Sequence, residues 1–144
     1  MDLTRFHEAQ RYAYQSALTE IRNGKKCSCW MWYIFPQIAG LGRSSTAQYY
    51  AIANLEEAIA YLNDDILGSR LIEISKALLE LESDDAYVIF GSPDNMKLKS
   101  SMTLFALADP DQEVFQKVLD KFFHGEWDRK TIQLVSKSKN GNTK

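Results

Sequence analysis

The sequence predicts a mainly α-helical protein that folds as a compact single-domain bundle of about six to eight helices, with a short extended or irregular segment rich in tryptophan. Two observations support this fold class. Apolar residues recur at helical spacing along most of the 144 residues, and the clean alternation typical of half-buried strands is missing. Each helix carries about three or four core residues, too few to fold alone, so the helices must pack together as one unit.

The first helix is predicted over residues 4–23. Asp2 or Thr4 can cap its start, and Asn23 and Gly24 form a good stop signal. One stripe of the helix is predicted to face the core along its whole length. That stripe consists of Leu3, Phe6, Gln10, Tyr14, Ala17, Leu18 and Ile21.

The apolar run over residues 30–35 does not follow the helical pattern. It is ambiguous between a short strand and buried irregular chain, and Pro36 blocks its continuation. If the run is extended, Trp30 and Trp32 point to opposite sides, so that one can pack in the core while the other lines a pocket. The alternative is that both tryptophans simply anchor the core.

The later helices are predicted from caps and apolar stripes. Ser44 or Ser45 can begin a short helix that runs to residue 52, and Asn54 with Glu57 reads as a capping box. Residues 136–144 are polar and basic without an apolar anchor, which predicts a flexible tail after a domain over residues 1–135. Helices are expected over residues 55–62, 66–81, 85–89, 94–106, 114–122 and 132–135.

Composition excludes several classes of function. The net charge is −2, with little clustering of basic residues, which argues against general binding of nucleic acid. Cys27, Cys29, His7 and His124 are too few and too scattered for a structural metal site, and free thiols fit a reducing cytosol. There is no signal-peptide pattern and no run near the ~18 apolar residues that a membrane span needs. We therefore expect a cytoplasmic protein with no membrane segment, metal or cofactor.

Polar motifs beside the tryptophans predict a binding site for a phosphorylated small molecule. The loop that starts at Gly40 leads into a helix start, where free amides attract a phosphate and Arg43 can grip it bidentately. A tryptophan offers a stacking face and Gln37 can read a base edge. Lys97 and Lys99 lie near a helix start, where positive charge is unfavourable because it opposes the helix dipole. Such a locally unfavourable placement can mark a binding site. The candidate ligand-binding residues are Trp30, Trp32, Gln37, Arg43, Ser44, Ser45, Lys97 and Lys99.

Each of these features also has a purely structural interpretation. The glycine-bracketed arginine can belong to a tight loop with an ordinary serine cap, and the lysines can lie on a solvated helix face. Gln37 can merely satisfy loop backbone. Asp94, which follows Pro93, is expected to cap a helix, and it is also the carboxylate to examine as a possible acid. No set of residues resembles a complete catalytic site.

Longer motifs resemble a known family. The quoted segments are 2–6, 30–37, 40–45, 50–52, 67–71, 90–94 and 97–105. They are similar to the bacterial family of unknown function 1810, which often carries the misnomer calpastatin, and the resemblance runs from Asp2 to about Leu134. It implies a compact, mainly α-helical domain without an established activity. The family usually has a histidine where this chain has Cys29, which argues against a general base at that position.

A fainter similarity is to the NADAR superfamily, which is linked to ADP-ribose and N-glycosidic chemistry. The comparable stretch spans residues 46–50, and Ala47 stands where that family has an acidic residue. The similarity is suggestive for architecture and poor for catalysis. The polar motifs themselves favour a nucleotide or ADP-ribose-like ligand. For an enzyme we expect an N-glycosidic or ADP-ribose-processing hydrolase, with Asp94 as the acid to examine. The alternative function is a non-enzymatic protein-interaction or regulatory module.

Overall fold

Nine α-helices run through the part of the chain that the computed structural model describes, namely the backbone of residues 1–142 and the side chains of residues 1–138. The prediction of a mainly helical fold is therefore confirmed. The helices are α1 (Thr4–Arg22), α2 (Met31–Ile34), α3 (Ser45–Tyr50), α4 (Leu55–Asn63), α5 (Asp65–Glu80), α6 (Ala86–Phe90), α7 (Asp94–Ala108), α8 (Val114–Phe123) and α9 (Arg129–Asn142).

The first helix forms as its stripe predicts. Asp2 accepts a hydrogen bond from the backbone N–H of Thr4 at 2.9 Å, and Gly24 ends the helix with a φ of 80°. Leu3 is only half-buried, while the rest of the predicted stripe lies in the interior. These buried residues are Phe6, Gln10, Tyr14, Ala17, Leu18 and Ile21.

The tryptophan-rich segment is one turn of helix rather than extended or irregular chain. The N–H of Ile34 donates to the carbonyl of Trp30 at 3.1 Å, and Phe35 donates to Met31 at the same distance. This turn, α2, is the helix in excess of the predicted six to eight. Successive helical residues turn by about 100°, so Trp30 and Trp32 still point to different sides.

Side-chain caps fix the helix starts that the sequence indicates. Ser44 accepts the N–H of Ala47 at 3.1 Å and so begins α3. Asn54 accepts the N–H of Glu57 at 2.9 Å. The Glu57 carboxylate reaches back to the N–H of Ala53 at 3.0 Å, one residue before the partner expected in a standard capping box.

The last helix is longer than the sequence predicts. Asp128 accepts hydrogen bonds from the Thr131 N–H at 3.2 Å and from the Ser100 hydroxyl at 3.0 Å, which ties the start of α9 to α7. The backbone of α9 stays helical through Asn142. The predicted flexible tail, residues 136–144, includes residues 143–144, which lie outside the described residues.

The core surrounds α7. This helix packs against α4, α6, α8 and α9, and eight of its residues from Leu98 to Ala106 are buried. A helix buried on nearly all sides is expected at the centre of a bundle. The helices α1, α4 and α8 pack in turn against α5. None of the described helices combines the length and the apolar character that crossing a bilayer requires.

Candidate functional site

Trp32 lies between a lysine and a small hollow. It is half-buried on α2, and the ammonium of Lys97 lies 5.7 Å from the centre of its ring. That distance is typical of a cation–π contact. The same side chain borders the hollow, whose other walls are Gln37, Ile38, Gly42, Ala47, Tyr50 and Ala51.

The hollow is narrow because the loop beside it is packed tightly. It measures about 10 Å³, room for one water molecule. A parallel bridge between Ile38 and Ile52 closes the base of the loop. Gly42 approaches α3 so closely that a Cβ built on it would lie 2.4 Å from the Cβ of Ala47. Close packing therefore explains the glycine at position 42.

The residues that follow Gly42 face solvent. Arg43, Ser44 and Ser45 are all exposed. The hydroxyl of Ser44 already accepts the first-turn amide of α3, and the carbonyl of Arg43 accepts the Gln48 side chain at 2.9 Å. The structural interpretation, an ordinary serine cap, is thus confirmed. Arg43 is exposed and follows Gly42, which lines the hollow.

Asp94 joins two lysines instead of capping α7. Its Oδ2 lies 2.9 Å from the Nζ of Lys26, and its Oδ1 lies 3.4 Å from the Nζ of Lys97. The carboxylate makes no cap hydrogen bond, and Pro93 occupies the N-cap position, so the capping prediction is wrong. The carboxylate instead fixes the ammonium group that faces Trp32.

Lys26 is the member of this group that sequence reasoning missed. Its side chain is only 10 % exposed, and its backbone N–H donates to Ile89 at 2.8 Å. The sequence offers no local signal, since Lys26 follows another lysine in a polar link. Only the packing of that link beside α6 and the start of α7 brings it to Asp94.

Trp30 is a core anchor. It is 1 % exposed, and its indole N–H donates to Glu20 at 3.0 Å. Glu20 also accepts the N–H groups of Cys27 at 2.6 Å and Ser28 at 2.9 Å. Burial raises the pKa of Glu20, whereas these hydrogen bonds and one from the Ser28 hydroxyl lower it. The hydrogen bonds outweigh burial, so the pKa of Glu20 lies below its ordinary value. Trp30 therefore offers no exposed ring face to a ligand, although the Lys26 ammonium lies 5.1 Å from the centre of its ring.

Lys99 lies away from Lys97. Its ammonium is 3.4 Å from Glu126 and 6.0 Å from the ring centre of Phe123. Two residues apart on a helix correspond to about 200° of rotation, so the two lysines of α7 face different neighbours. The structure therefore brings Trp32, Gln37 and Lys97 together, but not Lys99.

A buried glutamine holds α2 in place beneath the site. Gln10 is 1 % exposed, and its amide donates to the carbonyl of Tyr33 at 2.8 Å and to the hydroxyl of Tyr61 at 2.9 Å. Arg70 donates to the Gln10 carbonyl oxygen at 3.4 Å. Burial raises the pKa of Tyr61, which keeps its hydroxyl protonated. Gln10 falls on the apolar stripe in the sequence, where its hydrogen-bonding role is hidden.

Metal chemistry has no evident centre in the described chain. Within residues 1–138 no three histidine, cysteine, aspartate or glutamate side chains cluster closely enough to hold an ion. Cys27 and Cys29 are free and exposed. The groups that the structure does offer near Trp32 are cations, an aromatic face and an amide.

Comparison with known proteins agrees with the fold and assigns no activity. The chain is 45 % identical to the conserved hypothetical protein Rv1873 from Mycobacterium tuberculosis, and the two structures superpose with a TM-score of 0.92. The match covers 94 % of this chain and 96 % of that one. No curated protein matches the chain. The family DUF1810, described as a protein of unknown function, matches residues 1–135, and the chain therefore belongs to this family.

Proposed function

We propose that the protein binds a phosphorylated small molecule with a planar ring, of nucleotide or ADP-ribose type, across Trp32 and Lys97. One observation carries the proposal. The Lys97 ammonium lies 5.7 Å from the centre of a half-buried indole, so a cation and a stacking face are within reach of a single ligand. Stacking of a base on an aromatic side chain contributes about 1–3 kcal/mol.

The charge balance around Lys97 favours an anion. Among the side chains of residues 1–138, Lys26 and Lys97 share the single carboxylate of Asp94, so these three groups together carry one net positive charge. Hydrogen bonds from an ammonium to a phosphate are among the stronger ones in proteins. Arg43, exposed after Gly42, can supply a second cation.

The hollow limits where the ring of the ligand can lie. With room for one water molecule, it cannot enclose a base. In our proposal the ring stacks at the mouth of the hollow on the exposed part of Trp32, where the amide of Gln37 can meet its edge.

In this proposal Asp94 positions the ammonium of Lys97. Both of its oxygens lie within ion-pair distance of ammonium groups, an arrangement that suits a fixed anion rather than a proton donor. The proposed function is accordingly binding and does not extend to hydrolysis of a glycosidic bond.

Isothermal titration with ADP-ribose and AMP tests the proposal. We expect Lys97→Met and Trp32→Ala each to weaken binding about tenfold, since each removes an interaction worth about 1.5 kcal/mol or more. Lys99→Met is the matched control, because it removes the same charge from the same helix on a different side, and should leave affinity within about twofold. Absence of heat and of a thermal shift with millimolar ligand would end the proposal.

A further inference from the structure

We infer that a groove between α6, α7 and α8 binds an arginine-bearing segment of a partner protein. This groove, here the α6–α8 groove, has a volume of about 370 Å³. The side chains that matter for the inference are Asp84, Asp85, Tyr87, Asn95, Met96 and Phe123. None of them belongs to the Trp32 site, so the inference is independent of the proposed function.

The apolar part of the groove is unusually open to solvent. Tyr87 is 61 % exposed and Met96 is 50 % exposed, and the half-buried ring of Phe123 lies in the same groove. Single exposed apolar side chains are common, but several that line one groove indicate a binding surface.

The charge of the groove is unbalanced. Asp84 and Asp85 make no ion pair with any residue of the described chain. Lys121 and His124 are the basic side chains in the lining. Lys121 donates to the carbonyls of Leu78 at 3.0 Å and Leu79 at 3.1 Å, and also to that of Leu81. Its charge is thus directed to the end of α5, and the groove attracts a further cation.

A guanidinium group meets both conditions. It carries five N–H donors in a planar fork, which can donate to the carboxylates of Asp84 and Asp85. Its flat face also stacks on aromatic rings such as Tyr87 and Phe123. An apolar residue next to the arginine would cover Met96. The occupant that fits is a partner segment in which arginine stands beside an apolar residue.

An NMR titration with two short peptides tests the inference. The probes are an acetylated, amidated Leu-Arg-Leu-Arg-Leu peptide and the same peptide with glutamine in place of arginine. We expect only the arginine peptide to shift the signals of Tyr87, Asn95 and Met96 saturably. Equal shifts with both peptides, or shifts confined to another surface, would overturn the inference.

Two variants locate the binding. Asp84→Asn removes an exposed charge and should weaken the arginine peptide about threefold, as expected for an exposed ion pair. Tyr87→Ala removes the stacking face and should weaken it about fivefold. Lys97→Met, which is expected to weaken nucleotide binding at the Trp32 site, should leave the affinity for the arginine peptide unchanged, and this result would separate the two surfaces. Unchanged affinity in both groove variants would refute the assignment.

Discussion

At the scale of single residues, Glu20 fixes the segment that leads to Trp32. Its carboxylate accepts hydrogen bonds from the link after α1 and from the indole of Trp30. A carboxylate that gathers several donors is stabilised in its charged form. One acidic side chain thereby holds the backbone of the link and orients the buried tryptophan.

Glu20→Gln should lower the free energy of unfolding by about 1 kcal/mol at pH 7, because an amide replaces charged hydrogen bonds with weaker ones. The pKa of Glu20 in the folded protein lies below its ordinary value of 4.5. Its extra stabilisation is therefore complete above about pH 4.5 and disappears as the pH falls through the folded-state pKa.

Urea unfolding at a series of pH values between 7 and acid checks this prediction. The difference between Glu20→Gln and the wild-type protein should shrink below about pH 4.5. Glu82→Gln, at an exposed position without these hydrogen bonds, is the control and should follow the wild-type curve. A difference that stays constant or grows with acid contradicts the role assigned to Glu20.

At the scale of elements, the crossing of α4 and α5 depends on a glycine. A Cβ built on Gly68 would lie 2.0 Å from the backbone carbonyl oxygen of Leu62. The neighbour is backbone, fixed by the end of α4, and cannot rotate away as a side chain would. The two helices can approach this closely only where no side chain stands between them.

Gly68→Ala should lower the free energy of unfolding by about 2 kcal/mol or prevent folding, because overpacking against a backbone group forces the helices apart. Alanine is about 1 kcal/mol more favourable than glycine in a helix, so the cost of the clash must exceed this gain in helix propensity. Ser69→Ala, the exposed neighbour on the same helix, should be nearly neutral. Thermal and urea denaturation of both variants distinguish the two, and an equally stable Gly68→Ala protein would show that α4 and α5 are not in this contact.

At the scale of the whole molecule, one contiguous core links the first helix to the last. Buried side chains run from Phe6 in α1 through Phe105 in α7 to Val135 in α9. A core without a break favours unfolding in a single step. We expect circular dichroism and tryptophan fluorescence to give the same midpoint in urea. Trp30 lies beside α1 and Trp127 precedes α9, so separate midpoints would reveal two independently stable parts.

The sequence predicts those features that depend on interactions between residues close together in the chain. The stripe of α1 and the caps at Ser44 and Asn54 depend on residues within one or two turns, and all are visible in the sequence. The site depends on contacts between distant segments. Lys26 meets Asp94 across 68 residues of sequence, and nothing near either residue announces the pair.

The helical turn at Trp32 and the different surroundings of the two lysines of α7 could not be predicted from the sequence. The run around Trp32 lacks a full helical period, since α2 is a single turn of four residues and too short to show one. Lys97 and Lys99 look equivalent in a motif, yet the rotation of α7 directs one to Trp32 and the other to Glu126. The motif therefore predicts correctly that both lysines lie on one helix, but only Lys97 belongs to the site.

NMR of the tryptophan indole N–H groups tests most directly whether a ligand binds at Trp32. The chain has three tryptophans, and the N–H groups of Trp30 and Trp127 are bound to Glu20 and Gln116. Titration with ADP-ribose should shift the Trp32 resonance saturably and leave the other two nearly in place, with Trp32→Phe confirming the assignment. If no indole resonance moves at millimolar ligand, or if only that of Trp127 moves, the half-buried indole beside Lys97 is not a binding site.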